Sequence, residues 1–468
     1  MKEQHKSRKA LGIVPGENQL DIHIFNHLRF IALLVGLVFS ASNLQAANEN
    51  SIVELKGVEL PEALGKPFGK LTLFSVRNGM LLPIPFQWED FDDEGYSWFP
   101  DAETPLRGHA DIVDEHDSLF FRFADAGSQF DAESAMLSRI GAEIKVYSAD
   151  GENVRFVYIS DELGGFTHKP LTQYNKKTGE IRSDYFSLNT QPENFLIWND
   201  FTYKNYTGEN SNTLLDTLKI RLEAGIILDN ARITLDNRNI KTSVVSVKQG
   251  PIRTVVLAKS HLTVASVPVI FLDVRFQVLP QQFQIDAKVH VPAILAKLLR
   301  NPTATISLDG ANLKGSILRT AEGPETPVQV DGIMSEEERE LIASGISRDN
   351  NWVWLSTQSG FDIIAQMHVP ANFDVPISLH YIDNDAAVDK PERFAGQGPN
   401  VGYRIHDIPV NDTFHFNFQV FFTDSIEGQN PAQFVKRSAS IPYVSSRNLL
   451  QNIDVVMKQK DTGCAPYC

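Results

Sequence analysis

The sequence predicts a mainly β protein, made of antiparallel β-sandwich domains with a few short helices. Three observations carry that expectation. Short alternating runs rich in β-branched and aromatic residues recur along the chain, turn dipeptides punctuate them, and stretches of helical periodicity are scarce. The first expected hairpin pairs Leu71 to Val76 with Leu81 to Gln87 across Arg77-Asn78-Gly79, where Asn-Gly supplies the positive φ of a type I′ turn. The next pairs Ile144 to Tyr147 with Val154 to Ile159 across Ala149-Asp150-Gly151-Glu152. A third joins Leu171 to Tyr174 and Ile181 to Phe186 across Lys177-Thr178-Gly179. From Leu218 to Val291 strands follow almost without pause: Leu218 to Glu223, Ala231 to Leu235, Val244 to Lys248, Ile252 to Ala258, Val269 to Val278 and Phe283 to Val291. Long strands with one polar face imply broad packed sheets rather than a barrel. Three short helices are expected. Pro292 to Leu299 is a connector, Ser335 to Glu338 has capping-box spacing and opens a helix running to Ala343, and Pro431 to Ala439 starts on a proline suited to the first helical position.

The chain has 468 residues with a net charge of −15, 22% charged and 42% apolar, an ordinary globular composition. That acidity excludes a broad grip on phosphate backbones or anionic lipid, so nucleic acid is not an expected partner. Residues 1–46 read as a cleaved signal peptide. Lys2, Lys6, Arg8, Lys9 and Arg29 precede the apolar run Phe30 to Phe39, which is too short to span a bilayer, and small residues follow up to Ala46. The expectation is export to the periplasm or beyond the cell, with no membrane span in the mature chain. Cys464 and Cys468 are the only cysteines, and in an oxidising compartment they would close a small local disulfide. The polar stretch Asn189 to Asn194 is the expected boundary between an N-terminal sandwich at 47–190 and a larger one at 191–450, with a tail at 451–468.

Charge is concentrated in one place. Between Glu89 and Glu133 stand 14 acidic and two basic residues, which makes this segment net −12 in a mature chain of −17. Within it Asp90, Asp92, Glu94, Gly95, Tyr96 and Asp101 fall at positions 1, 3, 5, 6, 7 and 12 of a twelve-residue loop. That segment resembles an EF-hand-type calcium loop, whose carboxylates and one backbone carbonyl supply the oxygens hard Ca²⁺ requires. The resemblance implies Ca²⁺ as the cofactor; a solvated acidic loop is the competing reading. Glu at position 5, Ser97 at position 8 and Asp101 in place of a longer Glu depart from the pattern. A second acidic group, Asp111, Asp114, Glu115, His116 and Asp117, is either a cooperating site or a charged sheet edge.

Trp88, Tyr96, Trp98 and Phe99 bracket the acidic loop. Exposed aromatic faces beside carboxylates suit sugar rings, so these four are the candidate ligand-binding residues, with burial in a sandwich core as the alternative. Pro83 to Gln87, Asp117 to Phe121 and Ala124 to Gly127 resemble segments of uncharacterised secreted bacterial β-sandwich proteins, a likeness that implies no activity. Val247 to Val255, followed by long strands, is similar to the large sandwiches of sugar mutarotases and polysaccharide lyases. His380, His406 and His415 are available as bases, but no catalytic residue is assigned. The sequence thus points to an exported protein that binds a carbohydrate or another surface ligand. The alternatives are a carbohydrate-active enzyme built on the larger sandwich, and a structural protein that docks an envelope partner.

Overall fold

In the computed structural model, the described residues are 51–455 apart from 102–103, 131–139, 149–150, 152, 163, 165, 167, 210–211, 227–230, 265–266, 294–298, 312, 371–372, 395, 410–412, 427, 440–443 and 449–452. The expected signal peptide, the cysteine pair and most of the Pro292 to Leu299 connector lie outside them. The described chain is mainly β, and its strands pair antiparallel throughout five sheets. The fold class read from the sequence holds.

The Asn78-Gly79 hairpin forms as its chemistry requires, with φ of 53° and 74° at the two turn residues and Thr72–Arg77 paired to Met80–Pro83. These strands belong to a six-stranded sheet that faces a three-stranded one. Leu55, Leu73, Phe121, Ile144, Val157 and Trp88 are among the residues buried in the core of this N-terminal sandwich. The sheet also takes in Val444–Asn448, from the far end of the chain, which pairs with Ala142–Tyr147.

The larger core lies among a nine-stranded, a five-stranded and a four-stranded sheet. Alternation sets which side faces inward: Val274, Phe276 and Val278 point into it, whereas Asp273, Arg275 and Gln277 of the same strand do not. A cavity of about 50 Å³ remains inside, with Trp198, Leu218, Ile306 and Phe418 in its apolar lining. The polar turn before Asn194 closes a hairpin between Phe186–Gln191 and Asn194–Tyr203 rather than linking two cores. Tyr174, Ile181, Phe186 and Leu188, all before that turn, already belong to the larger core.

Both described helices sit where their signals place them. Ser335 Oγ accepts from the Glu338 amide while the Glu338 carboxylate accepts from the Ser335 amide, so Glu336–Ser344 starts on a complete capping box. Pro431–Ala439 packs Phe434 and Val435 against Trp352, Trp354 and Phe421. The two tryptophans are thus core residues, Trp354 on the strand Val353–Ser356 and Trp352 just before it, and Trp354 Nε1 donates to Asp362 at 3.0 Å.

Candidate functional site: the polar face of the nine-stranded sheet

The acidic loop folds as a tight turn whose acids serve the turn itself and the neighbouring sheet. Gly95 takes φ of 83°, as a sharp reversal needs. Asp92 is fully buried: its Oδ1 accepts from the Glu94 and Tyr96 amides at 3.0 and 2.9 Å, and its Oδ2 from Thr104 Oγ1 at 3.0 Å and Arg275 Nη2 at 3.2 Å. Glu94 lies on Lys288 Nζ at 2.7 Å, a contact that holds its carboxyl below the ordinary range. Asp90 accepts from the Asp111 amide at 3.0 Å, and Asp101 accepts from Ser246 Oγ at 3.3 Å. These carboxylates diverge toward separate partners. Among the described residues no three Asp, Glu, His or Cys side chains are grouped to hold a metal ion.

The four candidate aromatics separate in the same way. Trp88 is buried and stacks on Phe68 with centroids 5.7 Å apart, and Phe99 is buried against Val255 and Leu257. Trp98 is half-buried. Phe99 thus meets the nine-stranded sheet through apolar contact, whereas Tyr96 meets it through both ring and hydroxyl. Its ring lies 4.0 Å from the Arg275 guanidinium carbon, and its Oη is 2.9 Å from His415 Nδ1. The aromatics therefore form no shared open platform.

A buried ionic network anchors the loop, and sequence reading did not find it. Arg253 donates to both Glu89 oxygens, from Nε at 2.7 Å and Nη2 at 2.9 Å, and stacks 3.8 Å from the Phe120 ring centroid. Gln87 Oε1 accepts the Ile252 and Arg253 amides, and Gln277 links Arg253 onward to Asp286. Burial alone would raise the Glu89 carboxyl, but Arg253 outweighs it and holds the group ionised. Removing one partner would leave an uncompensated charge, a cost of about 3 to 5 kcal/mol. The bidentate pair thus fixes the N-terminal sandwich to the larger one and aims Glu94 and Tyr96 at the sheet.

What they meet is an open polar surface. Cross-strand register aligns Ser243, Lys259, Asp273, Lys288 and His415 in one row, and Lys241, His261, Phe271, His290 and Thr413 in the next. Residues directly opposite share a face, so the two rows form one patch. At its centre a depression of about 260 Å³ is lined by Phe271, Leu272, Asp273, Lys288, His290 and Thr413. Phe271 is 51% exposed, which is unusual for so large an apolar ring in the middle of a polar row. His290 Nδ1 lies 3.0 Å from Thr413 Oγ1. Burial, with Lys288 next, holds the His415 imidazole below its ordinary pKa and therefore neutral near pH 7. Sequence reading missed Phe271, Asp273, Lys288 and His290 because they lie on strands that read as ordinary alternation. The available signal was an aromatic on the polar parity of its strand.

The other candidates do not assemble. His380 lies on the five-stranded sheet, and His406 Nε2 meets Ser378 Oγ at 2.8 Å, so neither joins His415.

No protein-family model matches the chain, and no curated protein does. Among solved structures it is similar to an alpha-mannosidase from Enterococcus faecalis V583 at 8% identity and a TM-score of 0.45, covering 89% of this chain and 45% of that one. It is also similar to a galactose mutarotase related enzyme from Lactobacillus acidophilus, at 8% identity and a TM-score of 0.31 over 53% of this chain and 98% of the other. A heparan sulfate lyase HepC mutant from Pedobacter heparinus follows at 10% identity and a TM-score of 0.30, over 64% and 44%. The chain spans about half the length of the mannosidase.

Proposed function

We propose that this protein, exported to the periplasm or the cell exterior, binds carbohydrate on the polar face of the nine-stranded sheet. The observation that carries the reading is Phe271, half exposed at the edge of a depression whose other polar walls are Asp273, Lys288, His290 and Thr413. A sugar presents an apolar C–H face and a rim of hydroxyls. An exposed ring ringed by donors and acceptors satisfies both at once. The test is affinity electrophoresis and calorimetry of residues 47–468 against a polysaccharide panel. Phe271→Ala should weaken binding at least tenfold while leaving the melting temperature unchanged. Binding that survives the substitution would move the site elsewhere.

A second reading, turnover of the bound sugar, is favoured by the Tyr96 Oη to His415 Nδ1 contact of 2.9 Å. A neutral imidazole can take the phenol proton, which makes the pair a candidate acid–base relay beside the depression. Incubation with the same panel, following reducing ends and unsaturated products, separates the readings. Under turnover, Tyr96→Phe abolishes product and spares binding.

A further inference from the structure

The outward face of the five-stranded sheet is a polar floor under a strap. Lys219, Ser307, Gly402 and His380 stand in one cross-strand row, with Asp309 and Asn400 paired in another. A solvent-facing row would be exposed, yet Lys219, Ser307, Asp309 and Asn400 are at most 2% exposed. The segment Asp385 to Phe394 lies over them. Its acids bond to the floor: Asp389 to Lys219 at 3.3 Å and to Arg221 at 3.4 Å, and Glu392 to Arg221 at 2.7 Å. Val388 and Phe394 of the strap are 59% and 37% exposed, so ion pairs rather than an apolar contact hold it down.

Beneath it the hydrogen-bond inventory does not close. Among the described residues, Ser307 Oγ, Asp309 Oδ1, Asn400 Oδ1 and Glu392 Oε1 are buried with no hydrogen-bond partner. Each such atom is destabilising unless something bonds to it, so several together on one face mark a place built for a polar guest. The chemistry of the guest follows from what is left over. The floor's cations are paired: Lys219 Nζ lies 2.7 Å from Asp309 Oδ2, Arg221 is on Glu392, and Arg404 is on Glu223 at 2.9 Å. These three floor cations each already face a carboxylate, so an anion would have to compete for them; Arg404 Nε is a buried donor still without a partner, and Lys390 and Arg393 of the strap are exposed. The unspent atoms are mostly acceptors, so the guest must donate, and a hydroxyl-rich neutral molecule does so without adding charge. Gly402 lets the two strands approach closely here, since a Cβ would come within 2.0 Å of the Ile306 carbonyl oxygen.

We propose that Asp385 to Phe394 is an ion-paired lid over a second site, on the outer face of the five-stranded sheet, which takes a small polyhydroxylated ligand on Ser307, Asp309 and Asn400. It is independent of the Phe271 face. The experiment therefore uses Phe271→Ala protein as background, so that a sugar bound at the first face cannot be counted. Hydrogen exchange of strap peptides is followed against glucose, galactose, mannose and glycerol. At least one should slow strap exchange in a saturable way, and Ser307→Ala should weaken that response about tenfold with an unchanged melt. Asp389→Asn with Glu392→Gln should speed strap exchange in the absence of sugar. No saturable protection by any polyol, protection that Ser307→Ala leaves intact, or protection by a primary amine alone would overturn the proposal. So would a high-resolution crystal structure grown in the best polyol that shows only water on these four oxygens.

Discussion

Asp117 shows what a single buried acid does in the charged segment. It is fully buried at the end of the loop, with its Oδ2 accepting the Asp114 amide at 2.7 Å and the Phe91 amide also directed at its carboxyl. Burial foremost, then the neighbouring Asp114 and Asp90 charges, raise its carboxyl to about 7 against the opposing pull of backbone amides. The unfolded chain releases that proton near pH 4, so between about pH 4 and 7 the native state holds more protons, and stability falls as pH rises across that window. Asp117→Asn removes the dependence. Relative to its own value at pH 4, the variant should gain on the wild type by about 4 kcal/mol at pH 8, read from urea melts at each pH. A constant difference from pH 4 to 8 would show that Asp117 titrates like a surface acid. The residue scale is also where the sequence was least legible. Acid spacing located the loop, but Asp92 reads the same whether it faces Ca²⁺ or Arg275, which is 183 residues away in the chain. Trp88 reads the same whether it stacks on a sugar or on Phe68. Spacing within a segment carries no information about the element that packs over it.

At the scale of elements, the acidic loop is held by cations from the sheet, Arg275 on Asp92 and Lys288 on Glu94. Asp92 also closes the turn through two amides, so Asp92→Ala should cost about 3 to 5 kcal/mol by opening the turn and leaving Arg275 buried without its carboxylate. The loss should be equal in chelator and in calcium, as read by thermal melts of residues 47–468. A calcium-dependent rise of the wild-type melt that vanishes in Asp92→Ala would instead establish the cation site that the loop spacing suggests. Elements were otherwise well legible, because their signals are local. Asn78-Gly79 needs only its own φ preference, Ser335 with Glu338 forms its box within one turn, and the strands between Leu218 and Val291 follow from side-chain parity alone. The polar stretch ending at Asn194 misled for the same reason: Pro, Glu and Asn suit a hairpin turn as well as a linker. Which of the two forms depends on whether Phe186–Gln191 and Asn194–Tyr203 share a core, and that is not a local property.

For the whole molecule the decisive feature is that a strand from late in the chain completes the N-terminal sandwich. Val444–Asn448 pairs with Ala142–Tyr147, buries Val444 in the N-terminal core, and bonds Ser446 Oγ to the Glu59 carbonyl at 2.7 Å. The N-terminal sandwich therefore cannot complete its six-stranded sheet until some 300 later residues have been made, a contact of high sequence separation and slow to close. Arg253 with Glu89 ties the same two regions at a second point, so the sandwiches should melt as one cooperative unit. Deleting residues 441–468 removes the first tie and leaves the second. It bares the backbone of Ala142–Tyr147 as an unpaired edge, which invites association. The truncated protein should lose hydrogen-exchange protection in Ala142–Tyr147 and Val154–Ser160 while Thr254–Val264 and Val267–Leu279 keep theirs. Its melt should split, with the earlier transition several degrees below that of the full chain. Adding residues 441–468 as a peptide should restore protection in a saturable way, because the missing strand contributes its own backbone and Val444. Unchanged protection in Ala142–Tyr147 would mean that the N-terminal sandwich stands without its closing strand and that Arg253 with Glu89 alone makes the molecule one unit.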